Sequence, residues 1–142
     1  MMLAPFGLRQ ELFGSLTLAE GRDRPLPIGI WLASTRRWVL PPRSAVRVEG
    51  RLHAPPLATH AQVTGLVDLR ALSTHPDAYR LEFQAADGRR LTLSARRLSA
   101  RTTPLMALST VAGTLRNASG AELGQVELRH DYRQRLADWL VH

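Results

Sequence analysis

Along most of the chain, apolar side chains recur at every second position, the spacing that gathers them on one face of an extended strand. In LFGSLTLA, which starts at Leu12, Leu16 and Leu18 share a face before EGRDRP interrupts the pattern. Ile28, Ile30 and Leu32 then alternate with Gly29 and Trp31, and a short piece, RRWVL, runs into Pro41 and Pro42. In SAVRVEGRLHA, Val46, Val48 and Leu52 face one way while Arg47, Glu49 and Arg51 face the other. After Pro55 and Pro56, Val63, Val67 and Leu69 keep a common register within AQVTGLVDLRAL. Each run is bounded by Gly, Pro or charged residues, so each predicts a strand.

The stretch YRLEFQAADGRRLTLSARR predicts a hairpin with Tyr79, Leu81 and Phe83 on one face going out and Leu91, Leu93 and Ala95 on the same face returning. A loop of Asp87 and Gly88 alone would pair Phe83 with Thr92 and mix the two faces. A loop of Ala86, Asp87 and Gly88 instead pairs Ala85 with Arg89, Phe83 with Leu91 and Leu81 with Leu93. Gly88 then takes the left-handed position of a bulge, which glycine occupies without steric cost. In that register Arg80, Glu82, Gln84, Arg90, Thr92, Ser94 and Arg96 all point away from the core.

SARTTPLMALST predicts a short helix, with Thr103 as its cap and Pro104 in the first turn, where a missing N–H does no harm. A second hairpin follows, VAGTLRN and AELGQVELRH around a turn at ASG; its alternation shifts between Leu123 and Val126, which predicts a bulge at Gly124. From Asp131 onward, Tyr132, Leu136, Trp139 and Leu140 form one stripe of a terminal helix, expected to lie on the sheet or across a barrel mouth. A dimerisation helix is the alternative, with a homodimer as its consequence. The expected fold class is therefore all-β. It is a single antiparallel, lipocalin-like β-barrel domain over residues 1–142, with about eight or nine strands, a short helical crossover and a C-terminal helix.

The formal charge of +7 and the sequence pI near 11.4 suggest an anionic partner at first sight. Yet all 19 basic residues are arginine, and asparagine occurs only at Asn117, a bias that GC-rich coding produces by itself. The lack of lysine excludes a Walker A loop, a pyridoxal Schiff base and an amine nucleophile. The lack of cysteine excludes disulfides, thiolate catalysis and cysteine metal sites. No apolar run approaches the length of a membrane helix and the N-terminal residues lack a signal-peptide pattern, so the expectation is a cytoplasmic protein without a transmembrane segment.

Chemistry is sparse. There is no G-x-S-x-G elbow, H-E-x-x-H helix, glycine-rich dinucleotide loop or EF-hand pattern. His53, His60, His75, His130 and His142 have no metal-ligand spacing and read as surface histidines, so no metal and no cofactor are expected. Glu49 and Asp68 read as outward-facing partners of neighbouring arginines rather than as a general acid or base. Trp31 lies opposite Ile28 and Ile30, and with Trp38, Arg36 and Arg37 it either packs under another segment or marks a contact surface.

GSLTLAEG, VEGRLHAPPLATHAQVTGLVDLRAL, YRLEFQAADGRRLTLSARR and GTLRN together resemble a β-rich accessory domain associated with bacterial sterol-oxidase-like flavoproteins of the glucose–methanol–choline oxidoreductase group. The likeness spans roughly Gly14 to Arg129 and consists of strand-and-turn grammar without a catalytic signature. The flavin-binding motif of those oxidases is absent, so no oxidase activity follows. What the resemblance implies is a lipid-related or enzyme-associated barrel.

These readings converge on a non-catalytic barrel that binds an apolar ligand, such as a sterol or acyl chain, or docks on a lipid-modifying enzyme. Its candidate ligand-binding lining is Ile28, Ile30, Val46, Val48, Val67, Leu81, Phe83, Leu91 and Leu93. In the alternative packing those side chains simply fill the interior. A second class of function is a small isomerase or cyclase that shapes an apolar substrate in a cavity; no catalytic residue is nominated for it. Sequence-specific nucleic-acid binding is not expected, because the arginines lack aromatic neighbours on their own face. Any nucleic-acid retention is predicted to be weak, unselective and lost as salt rises to physiological strength, which filter binding over a salt series checks.

Overall fold

A computed structural model describes residues 9–20, 24–36, 45–68, 78–98 and 110–130. They form eight strands: β1 (Arg9–Leu18), β2 (Leu26–Ser34), β3 (Ala45–Ala54), β4 (Ala58–Asp68), β5 (Ala78–Gln84), β6 (Arg90–Arg97), β7 (Thr110–Asn117) and β8 (Glu122–His130). Each strand pairs antiparallel with the next, and β8 pairs back onto β1, so the sheet closes into a barrel without a free edge. The described residues contain no helix. The expected crossover helix at Thr103 and the terminal helix from Asp131 lie outside the described residues, as does RRWVL beyond Arg36.

The two ends of the barrel differ. At one end the connections are mostly tight: residues 19–25, 55–57, 85–89 and 118–121. At the other end residues 35–44, 69–77 and 98–109 join the strands. We call these the turn end and the long-connection end.

The alternation seen in the sequence becomes inside and outside. Leu12 and Leu16 of β1, Ile30 of β2, Leu52 of β3, Val63 of β4, Leu81 of β5, Leu93 of β6, Leu115 of β7 and Leu128 of β8 are all buried in one core cluster. Between them, Arg47, Glu49, Arg51, Arg80, Glu82, Arg90, Arg96, Arg116, Glu127 and Arg129 are exposed on the outer wall. A membrane-spanning barrel shows the inverse pattern, with an apolar band outside.

Two of the described hairpin turns follow from local chemistry. Leu81 pairs with Leu93 and Phe83 with Leu91, and the Ala85 N–H donates to the Arg89 carbonyl at 2.8 Å, the register of a three-residue loop. Gly88 sits at φ +92°, in the left-handed region. The exposed Asp87 carboxylate accepts the Arg89 backbone N–H at 3.1 Å and the guanidinium at 2.6 Å. Chiefly through that backbone N–H, its pKa is held below the ordinary carboxylate value. At the second turn the Asn117 Oδ1 accepts from the Ser119 N–H at 3.0 Å, the Ser119 hydroxyl at 2.7 Å and the Ala121 N–H at 2.9 Å. Leu115 pairs with Gly124 but Arg116 pairs with Glu122, so Leu123 is the extra residue of a bulge beside the expected position.

Closure depends on glycines at inward-row positions of the strands. Gly50 occupies the inward row of β3 between Val48 and Leu52, and Gly14 the inward row of β1 between Leu12 and Leu16. A Cβ at Gly50 would overlap the Trp31 carbonyl oxygen, and one at Gly14 would overlap that of Glu127. The obstacle is a neighbouring backbone, which cannot rotate aside as a side chain would. The strands therefore coil sharply at these points, as barrel closure requires. Gly50→Ala is expected to cost about 3 kcal/mol, measured as a lowered urea midpoint at unchanged slope.

Candidate functional site

The described interior is apolar except at the long-connection end. Gln10 and Thr110 are the buried polar residues among those described. Thr110 pairs with Arg129 and belongs to the outward row of β7, whereas Gln10 continues the inward row of Leu12 and Leu16. Tyr79 is buried on the inward row of β5 and donates its hydroxyl to the Gln10 Oε1 at 2.5 Å. β1 and β5 have three strands between them whichever way the barrel is followed, so this bond spans the interior.

The register around the pair fixes its surroundings. Gln10 is opposite Leu32 on β2; Tyr79 lies between Val67 on β4 and Ala95 on β6, and Val67 is opposite Val46 on β3. Gln10 is only 2% exposed, and its Nε2 has no hydrogen-bond partner. An amide donor buried in this way costs about 1–3 kcal/mol. Because Tyr79 uses the amide oxygen, the end left unmatched is purely a donor.

The nine residues nominated as lining all belong to the buried cluster. Val46 and Val67 lie toward the long-connection end, Ile30, Val48, Leu81 and Leu93 at mid-height, and Ile28, Phe83 and Leu91 toward the turn end. The most accessible of them, Val46, is 7% exposed, and the four at mid-height are at most 2% exposed. A water-sized sphere barely touches these side chains from bulk or from a void, so the middle of the barrel is filled by its own side chains. Gln10, Leu12 and Leu32 were not nominated. The signal for Gln10 was present, since RQELFG carries the inward parity of Leu12 back to position 10.

Two further clusters lie on the outer wall. Trp31 is half-buried and meets Phe13 edge to face at a ring separation of 5.5 Å, covering the bare backbone of Gly29. Trp38 lies outside the described residues. His53 and His60 stack at 4.1 Å, and the His60 N–H donates to the His53 Nδ1 at 3.2 Å. His60 has φ +45° in the irregular stretch where the β3–β4 register shifts, so His53 serves as a local brace. Among the described residues no group of three or more His, Asp or Glu side chains is placed to hold a metal ion. Glu49 is exposed on the outer wall, and Asp68 is half-buried in the outward row with an interaction of its own.

No protein-family model and no curated protein sequence matches the chain. Among solved structures, the chain is similar to a de novo designed fluorescence-activating β-barrel. The two share 14% identity with a TM-score of 0.46, and the match covers 86% of this chain and 92% of that one.

Replacing both members of the polar pair by apolar groups of similar shape removes the unmatched donor. Gln10→Met combined with Tyr79→Phe is expected to raise stability by about 1–3 kcal/mol, measured by urea unfolding.

Proposed function

We propose that this chain is a non-catalytic, lipocalin-like barrel that takes an apolar ligand of the lipid or sterol type at its long-connection end. The observation that carries this reading is the Gln10 amide: a buried donor without a partner, on the row of Leu12 and opposite Leu32, with Val67 and Val46 beside Tyr79 on the facing wall. Binding sites commonly combine apolar walls with a few placed polar groups, and such groups lower stability until a ligand completes them. The filled middle supports a site of limited depth, with the turn-end half as scaffold. Of the residues nominated from sequence, Val46 and Val67 lie nearest that end, both buried.

The alternative of a small isomerase or cyclase has less support. Among the described residues, the inward rows offer the Tyr79 hydroxyl, the Gln10 amide and the half-buried Arg97, which bind and orient, while Glu49 and Glu82 are exposed outside. A second reading is docking on a lipid-modifying enzyme, as the accessory-domain resemblance implies; the Phe13–Trp31 pair on the outer wall is the feature favouring it. The ligand reading is tested by native mass spectrometry and solvent extraction of purified protein, with thermal-shift titration of sterols and acyl compounds. The expected outcome is one apolar molecule per chain or a saturable rise in Tm. Absence of both overturns the reading.

A further inference from the structure

The ligand reading can be deepened, because the polar pair states what the ligand must carry. We infer that the site selects an apolar molecule with an exposed oxygen acceptor, a ketone or ester carbonyl, and that Gln10 Nε2 donates to that oxygen. This inference rests on the proposed binding function and adds the ligand's chemical class.

Two observations lead there. The Gln10 Oε1 already accepts from the Tyr79 hydroxyl, so the amide has only N–H groups left to offer, and its complement is an acceptor. A cation or a pure donor meets the wrong end of the amide. Arg97 lies half-buried on the inward row of β6, opposite Val111 at this end, and already has an interaction of its own. Lastly, Gln10 is held by a bond from the far side of the barrel, so the amide is presented in one orientation instead of rotating to suit either kind of partner. Tyr79 is in this sense a positioning residue.

The test compares three probes of equal chain length, 2-nonanone, nonane and nonanoic acid, titrated into the full chain. Binding is followed by thermal shift and by the side-chain amide resonances of 15N-labelled protein. The ketone is expected to bind about ten-fold more tightly than the alkane, the worth of one buried hydrogen bond. It is also expected to move the Gln10 amide pair, identified by its loss in Gln10→Met. In Gln10→Met the preference for ketone over alkane should fall to parity. In Tyr79→Phe it should fall about three-fold as the amide loses its fixed orientation. Equal binding of ketone and alkane with the Gln10 resonances unmoved overturns the oxygen selection and leaves apolar binding standing. Tighter binding of nonanoic acid than of the ketone overturns the assignment to a ketone or ester carbonyl. Binding by none of the three removes the ligand reading itself. The wild-type resonances decide between these outcomes even if a variant fails to fold.

Discussion

Where β3 passes β2 at Gly50, the two backbones run so close that a single methyl group would overlap the carbonyl oxygen of Trp31. The same crowding recurs at Gly14 against β8. A sheet coils tightly enough to meet its own first strand only if some inward positions carry no side chain. Closure then fixes the diameter of the interior. With eight strands that space is about filled by one layer of aliphatic side chains from each wall. It also brings β1 and β5 near enough for one glutamine and one tyrosine to touch across it.

The interior is divided along its axis. Toward the turn end, tight connections and buried leucines, valines and isoleucines make a dry, rigid scaffold. Toward the long-connection end, the Gln10–Tyr79 pair interrupts that pattern and leaves one donor unmatched. Departures from an otherwise consistent core are where functional groups are expected, since they lower stability without any structural return. A rigid support below and a polar group above is also what holds a binding group in place.

The outer wall explains the composition. Of the five arginines of the hairpin, Arg80, Arg90 and Arg96 are exposed members of an alternating strand pair, with Glu82 among them. The aromatic Trp31 covers a glycine on this surface, a known device for protecting a bare stretch of strand. His53 and His60 brace the β3–β4 irregularity, so their proximity has a structural use without a metal.

The β5–β6 hairpin was readable to the residue, because burial parity and the αL requirement at Gly88 are both local and agree with each other. Alternation along the other runs was equally readable, as it records which side of each strand avoids water. Glycines such as Gly50 were visible, but their meaning was not, since the atom that forbids a side chain there belongs to β2. Gln10 shows the limit most clearly. In RQELFG it reads as a polar residue ahead of a strand, and its partner stands 69 positions away. Chain-local patterning decides which face of a strand is dry, but which residues meet across the interior is set by strand number and closure, and those exist only once the barrel has formed.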